Sequence, residues 1–433
     1  MASVSRSPMA FFMLIIGAVV ILYAGSIFGY DVKGIFGFVF SIAPIWLPLI
    51  LFILLFDSWL LFVQLEYDLS QGRTTLEIKL PQEVFKSPEA MEQVLIQMHQ
   101  IATPDNHVQT YWDGKHPPMF SLELVSRGGD VKLYINTPEK KFKNLVETQL
   151  YAQYPGIEIV EHKTDYTSEI SWDLDKYAYF SLHMGLKKAD AYPLKSYFEY
   201  ALQSMPKEEE KVDPITSMIE MLGSIGPGEH YWIQILIEAN REQTLKSGSL
   251  GLKPDWRGDA RKEIQNIIDS AVKQRGGEDY NQAPTMLLTD AEKDTIKAIE
   301  RSTGKNAFNT VIRAMYIGEK EAFNPGERIG TLITGFRAYD DLNRNAIGVR
   351  WRTDFDWNWW QDPRDKHKNF WKKTELREYK TRRYTSYTAV DKPKIMTTEE
   401  LATLFHLPGQ VVATPTLERI PSKRSEPPAN LPV

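Results

Sequence analysis

Ser302-Thr303-Gly304-Lys305-Asn306 sets a glycine beside a lysine, the pairing that phosphate-cradling loops use. A P-loop needs G-x-x-x-x-G-K-[ST], because backbone amides wrap the phosphates while the lysine and the hydroxyl serve the terminal oxygens and the magnesium. The first glycine and the final hydroxyl are missing here, and the stretch follows a helical pattern instead of opening one. Gly304 therefore reads as a helix C-cap. The eight histidines form no H-x-x-x-H or H-E-x-x-H, and His107 and His116, which share a predicted loop, do not have the spacing of a metal site. There are no cysteines, which removes thiol nucleophiles, thiolate zinc, iron–sulfur clusters and disulfides. No G-x-S-x-G elbow and no marked acid pair appear. The expectation is a chain without a catalytic residue, cofactor or metal of its own: not an enzyme.

One segment has a composition that could bind. Trp351, Trp357, Trp359, Trp360 and Trp371 fall close together, and Pro363 to Lys394 holds eleven Lys/Arg against four acids. Cations interleaved with aromatics hold single-stranded nucleic acid by charge and stacking, or sit on an anionic membrane surface. They also serve an arm that packs on its own body or on a neighbouring subunit. Trp357, Trp359, Trp360, Lys372, Lys373, Arg382 and Arg383 are the candidate contacts with a partner or with nucleic acid.

The elements that must position this arm read as α+β. Leu76 to Leu80 alternates as a strand, and Ser87-Pro88-Glu89 opens a helix with Met91, Val94, Leu95 and Met98 on one face. Met119 to Ser126 and Val131 to Asn136 are strands joined by Arg127-Gly128-Gly129-Asp130, a hairpin signal. A helix from Thr137-Pro138 and a strand from Ile157 to Glu161 complete a β-α-β-β-α-β order, the pattern of a ferredoxin-like sandwich. The order recurs: strand Tyr177 to Gly185, helix Ile215 to Ile225, strand Tyr231 to Glu238, strand Phe308 to Ile317, a helix to about Leu342 that Asn324-Pro325-Gly326-Glu327 opens as cap, first-turn proline and capping-box glutamate, and strand Ile347 to Arg352. An insertion over 240–305 carries helices from Arg257 to Gln274 and from a Thr289/Glu292 capping box.

With 433 residues, 43% of them hydrophobic and 25% charged, the chain has room for two or three folded domains, and a net charge of -5 excludes a globally basic nucleic-acid binder. The long apolar runs lie at the start. Met9 to Tyr30 and Gly34 to Phe56 carry no charge and are separated by Asp31, Val32 and Lys33. Each is long enough to cross the hydrocarbon core, so the expected form is a two-helix transmembrane hairpin (9–30 and 34–56). Trp59 and Tyr67 follow where amphipathic rings favour headgroups. Arg6, Arg73 and Lys79 against Lys33 place the body on the cytoplasmic side, giving a multi-pass protein of the inner (cytoplasmic) membrane. The organisation expected is a hairpin over 1–70, ferredoxin-like units over 71–168 and 169–350, a basic and aromatic arm over 351–395, and a short helix with a proline-rich tail over 396–433.

Thr397 to Pro408 (TTEELATLFHLP) is a capped short helix ended by proline, followed by Thr414-Pro415 and by Pro427 to Pro432. This resembles the segment that precedes the motor domain in membrane-anchored ATPases of the HerA/FtsK superfamily, the conjugation and type IV secretion-like group of candidate-phyla bacteria. Ser87 to Leu95, Phe120 to Glu123 and Leu145 to Pro155 look like the N-terminal, non-motor region of the same group, so the likeness runs over about residues 76 to 432 as short motifs. It implies a part in a conjugation-like or secretion-like translocation machine. The sequence given stops at Val433 with no Walker lysine or magnesium carboxylate to carry over. The motor is then a separate polypeptide, or has been lost, or the chain is a fragment. The expected role is a membrane-anchored, non-catalytic adaptor that docks a motor ATPase or pore subunit. Its expected partners are the lipid bilayer, that motor and a second copy of itself. The alternative is a membrane-tethered DNA-binding protein that uses the basic arm.

Overall fold

A computed structural model describes residues 41, 43–81, 86–100, 106–162, 164–202, 213–240, 256–275, 287–354, 360–384, 392–409 and 419–420. Helix α1 runs Ala43–Gln71. It continues well past Phe56, where the sequence analysis ends it, because no breaker intervenes before Gly72 and because Leu60 and Val63 gain a buried site against the body. The expected helix over 9–30 lies outside the described residues, so the two-helix hairpin is not shown. Among the described residues, α1 is the one helix long and apolar enough to cross a membrane, and almost none of its most apolar stretch is buried.

Gly72 separates α1 from strand β1 (Arg73–Pro81). Helix α2 (Glu89–Met98), the short helix α3 (His107–Tyr111), strands β2 (Met119–Arg127) and β3 (Asp130–Pro138), helix α4 (Glu139–Gln153) and strand β4 (Glu158–His162) follow. The β2–β3 turn has φ +57° at Gly128 and +95° at Gly129, two positive angles that L side chains resist and that match the twist of a tight hairpin. The second half contains β5 (Tyr177–Leu186), α5 (Pro214–Gly223), β6 (Glu229–Ala239), α6 (Trp256–Arg275), α7 (Asp290–Thr303), β7 (Ala307–Glu319), α8 (Pro325–Thr334) and β8 (Ile347–Arg352). Helix α9 (Lys366–Thr381), β9 (Lys394–Thr397), α10 (Thr398–Leu404) and β10 (Arg419–Ile420) complete the described elements.

Among the described residues the strands form a single sheet, antiparallel except where β10 pairs with β1. In the first half the strands lie in the order β4-β1-β3-β2, and in the second β6-β7-β5-β8. Each half thus has its fourth strand beside its first and its third between first and second. The halves meet where β2 pairs with β6, from Met119↔Glu238 to Arg127↔His230. Two regions expected as consecutive units therefore share one sheet and one apolar core. That core lies on one face, where Leu76, Ile135, Leu122, Ile235 and Ile312 line up across five strands beneath α2, α4, α5, α8 and α10.

Local signals explain most element ends. Thr289 and Glu292 close the capping box of α7, Thr397 and Glu400 that of α10, and Gly304 caps the end of α7. Two ends differ from expectation. Asn324 flanks α8 without a side-chain bond to its backbone; its amide meets the Glu327 carboxylate instead, at 3.1 Å. The helix stops at Thr334 and passes into a 3-10 turn over Gly335–Tyr339, whose Gly335 packs on Met221 so closely that a Cβ there would lie 2.8 Å from its methyl. Of the readings open for the arm, its described part takes the packed one: α9 lies across the second face of the sheet.

Candidate functional site

The second face carries a polar row. Five strands each have one polar residue between apolar neighbours: Leu-Glu-Ile at 76–78, Leu-Glu-Leu at 122–124, Ile-Gln-Ile at 233–235, Ile-Arg-Ala at 312–314 and Leu-His-Met at 182–184. Register brings them into one line, because Glu77 faces Tyr134, Tyr134 faces Glu123, Glu123 faces Gln234, Gln234 faces Arg313, Arg313 faces His183, and His183 faces Trp351. Side chains opposite one another on a sheet sit close enough to interact.

Helix α9 lies along this row and meets it step by step. Trp371 packs edge-on against Trp351, with ring centroids 5.7 Å apart. The Glu375 carboxylate is 2.7 Å from Nε2 of His183 and accepts from Ser181 Oγ at 3.3 Å. Arg313, fully buried, donates Nε to Gln234 Oε1 at 2.6 Å and Nη2 to the carbonyls of Glu378 and Arg383 at 2.9 and 2.7 Å. Gln234 in turn donates to Glu123 Oε1 at 3.1 Å and to the Tyr379 carbonyl at 3.2 Å. Arg382 closes the row: its Nε and Nη2 fork onto the two oxygens of Glu123 at 2.9 and 3.1 Å, and its Nη1 reaches Asp165. Burial opposes a charge on Glu123, but Arg382 outweighs it and holds the carboxyl below its ordinary value. Arg382 is held well above its own ordinary value, because the Glu123 carboxylate overcomes the cost of burial.

The candidate contacts therefore separate. Arg382 is 3% exposed and committed to Glu123 and Asp165, so it is no surface contact. Arg383 is half-buried with Nε 3.8 Å from Asp68 at the end of α1. Lys372 is half-buried, and burial together with Lys368 draws its pKa below the usual lysine value. Lys373 is exposed, as is Trp360. Trp357 and Trp359 lie outside the described residues. Lys366, Phe370 and Arg377, which are not among the expected contacts, make the exposed stripe of α9 together with Lys373. Their spacing of three or four residues is the signal that would have found them, once the segment is read as a helix.

A cleft of about 370 Å³ lies between α2, the end of α7 and α10, and it collects the remaining chemistry-capable groups. Lys305, from the glycine–lysine stretch, is 2.8 Å from Glu92, which also accepts from Thr398 Oγ at 3.0 Å and from the Tyr197 hydroxyl. Arg301 pairs with Glu399 at 2.9 Å and with Glu199. Burial would raise the Glu199 carboxyl, but hydrogen bonds from Arg301, Ser196 and Arg344 bring it down to about 2. Each cation in the cleft thus has a carboxylate of its own, which suits the cleft to joining α2, α7 and α10 rather than to cradling a phosphate. His116 pairs with Asp68 at 3.1 Å and His107 stacks on Tyr111. Among the described residues, no three His, Asp or Glu side chains converge as a metal site.

No curated protein matches the chain. A family model, described as a domain of unknown function (DUF8128), matches residues 63–419, from the point where α1 docks on the body to the last described strand. The chain belongs to the DUF8128 family.

Proposed function

We propose that the protein is a membrane-anchored adaptor whose body docks a motor ATPase or pore partner of a conjugation-like or type IV secretion-like machine. The observation that carries this reading is the direct junction of α1 to the sheet. An apolar helix with Leu51, Phe52, Leu55 and Phe62 all exposed meets β1 after the single residue Gly72, which leaves no flexible tether between anchor and body. A rigid mount of that kind suits a part that must hold a partner at a set distance from the bilayer. The charged groups of the body favour the same role, since the polar row and the cleft spend them on internal pairs. The likeness of Thr397 to Pro408 and Ser87 to Leu95 to the region ahead of HerA/FtsK-type motors supplies the kind of partner. In this reading the two halves are ferredoxin-like units fused through β2 and β6, α1 pairs with the apolar run 9–30 as a hairpin in the inner membrane, and the body lies in the cytoplasm.

The test is purification of the tagged full chain from membranes in mild detergent. A P-loop ATPase recovered at fixed stoichiometry supports the reading, and a lone monomer under the same conditions overturns it. A second reading, binding of single-stranded DNA, is favoured by one observation: Lys366, Lys373 and Arg377 share the exposed face of α9 with Phe370. Charge neutralisation together with ring stacking is the chemistry of such a surface.

A further inference from the structure

The short helix α3 turns its apolar side outward. Val108 is 66% and Trp112 69% exposed, in a body that buries most of its large apolar side chains. They stand four residues apart, on one face of a single helical turn. This turn is built to keep that orientation. Asn106 caps it by accepting from the Gln109 N–H at 2.9 Å, and the Trp112 N–H donates to the Val108 carbonyl at 2.8 Å.

The turn also has a fixed place beside α1. Trp59 of α1 donates its indole N–H to the Tyr111 carbonyl at 3.0 Å, and its ring meets that of Trp112 at 5.3 Å. Phe56 packs on Tyr111 with ring centroids 5.6 Å apart. One turn below, the backbone of Gly114 approaches that of Val63 so closely, with φ +65°, that a Cβ at Gly114 would lie 2.2 Å from the Val63 carbonyl oxygen. Lower still, His116 pairs with Asp68 and packs on Tyr67. Residues 106–116 thus climb α1 from its last turn to Trp59 and end in an exposed apolar tip.

We infer that this tip is a second membrane contact: Val108 and Trp112 enter the boundary between headgroups and acyl chains, level with Trp59. The occupant follows from continuity with α1. Trp59 and Trp112 touch, and amphipathic rings prefer that depth. Asp57, the first charged residue of α1, falls in the same turn as Trp59. From Ala43 to Trp59 the helix rises ~24 Å, and the uncharged run extends in sequence back to Gly34, which matches a hydrocarbon core of ~30 Å above this level. A helix alone can tilt in the bilayer and carry the rigidly joined body with it; a second contact to one side of the helix axis limits that tilt and so sets the inclination of the sheet to the bilayer. The inference rests on α1 being a membrane anchor, and the experiment separates the two.

The chain has no cysteine, so single-cysteine variants carry a fluorophore without background. V108C, W112C, F52C and L342C, each in the full chain, are labelled and reconstituted into vesicles of phosphatidylcholine and phosphatidylglycerol. Aqueous iodide and lipids with a doxyl group near the headgroup serve as quenchers. Leu342, 96% exposed, reports bulk water, and Phe52 reports the helix. The expected result is loss of iodide quenching at positions 108 and 112 relative to 342, with strong quenching there by the doxyl lipid. Iodide quenching at 108 and 112 equal to that at 342, with position 52 shielded by lipid, overturns the second contact and leaves the anchor standing. Positions 108 and 112 shielded from iodide yet untouched by the doxyl lipid mean that protein covers the tip, which also overturns it. If position 52 is open to iodide as well, the anchor itself falls, and the inference with it.

Discussion

Replacing Arg382 by methionine separates a structural cation from a binding one. Methionine keeps much of the apolar stem and removes the guanidinium, so the change isolates the charge. Removing one member of a buried ion pair costs about 3–5 kcal/mol, chiefly because the other charge stays buried alone. Here Glu123 is fully buried but keeps three neutral donors: Ser121 Oγ at 2.6 Å, Tyr166 OH at 2.7 Å and Gln234 Nε2 at 3.1 Å. Those donors offset part of the loss and put the expected cost near the low end, about 3 kcal/mol at neutral pH. The acid response has a definite sign. The Glu123 pKa is depressed in the folded protein, so the stability it contributes is present above its unfolded value of 4.5 and disappears as pH falls through the lower folded value. Without Arg382 that contribution is gone, and the gap between variant and wild type narrows on acidification. The assay is urea unfolding in detergent, followed by tryptophan fluorescence, for R382M, E123Q/R382M and R383M. The double variant no longer buries a lone charge and should recover at least half of the loss. R383M removes only a half-exposed pair at 3.8 Å and should cost ~0–1 kcal/mol. An R382M cost below ~1 kcal/mol, or a double variant no more stable than the single, would refute the reasoning.

Gly114→Ala forces a strained φ and a Cβ onto the Val63 carbonyl, so the 106–116 segment should open from α1 about ten-fold more often or beyond, read as faster tryptic cleavage at Lys115; an unchanged rate contradicts the close contact. Burial pushes the Glu400 carboxyl up to about 7, from an unfolded value of 4.5. The advantage of its protonated form is full below 4.5 and is lost as pH rises through about 7, a loss of ~3 kcal/mol that E400Q should flatten in unfolding curves across this range. The same slope in E400Q would assign the pH dependence to other groups. If α9 binds single-stranded DNA, K366Q/K373Q/R377Q should reduce the slope of log affinity against log salt by about 2, at ~0.7 per neutralised phosphate; an unaltered slope removes the stripe from that role.

Much of the scaffold is legible in sequence because its signals are local. Strand alternation, the Gly128-Gly129 turn and the capping boxes at Thr289 and Thr397 act within a few residues, and each appears where it is expected. What is not legible depends on distant partners. Nothing within Met119 to Ser126 says that its free edge takes β6, and Asp57 to Gln71, though free of breakers, does not say that Leu60 and Val63 find cover on the body. The arm shows the same limit. Its charge excess is plain in the sequence, but which cations face water depends on helix phase. Lys366, Lys373 and Arg377 point out, Lys372 and Lys380 are half-buried, and Arg382 turns into the sheet. The polar row was readable in principle, as one polar residue at the centre of each apolar strand; its alignment depends on a register that only the folded sheet supplies.

The register also explains why α9 needs polar contacts at all. An apolar helix on an apolar sheet is held by a non-directional force, which sets its distance from the sheet but not its position along it. From Trp371 to Arg382 the helix advances eleven residues, ~16.5 Å. From β8 to β2 there are four strand spacings, ~19 Å. One turn of helix therefore meets about one strand, and Trp371, Glu375, Glu378 and Arg382 reach β8, β5, β7 and β2 in that order. A slip of one turn toward β2 would carry Glu375 off His183 and Arg382 off Glu123, leaving the fully buried Glu123 carboxylate without its cation. The penalty for that slip is what selects one position, and a single buried polar group fixing register is the best attested use of such groups. Because the row crosses the β2–β6 seam, the same contacts clasp the two halves of the sheet. The Arg383–Asp68 pair then sets the outer stripe of α9 relative to α1. The outer stripe of α9 is thus held at an orientation fixed from α1 through the sheet.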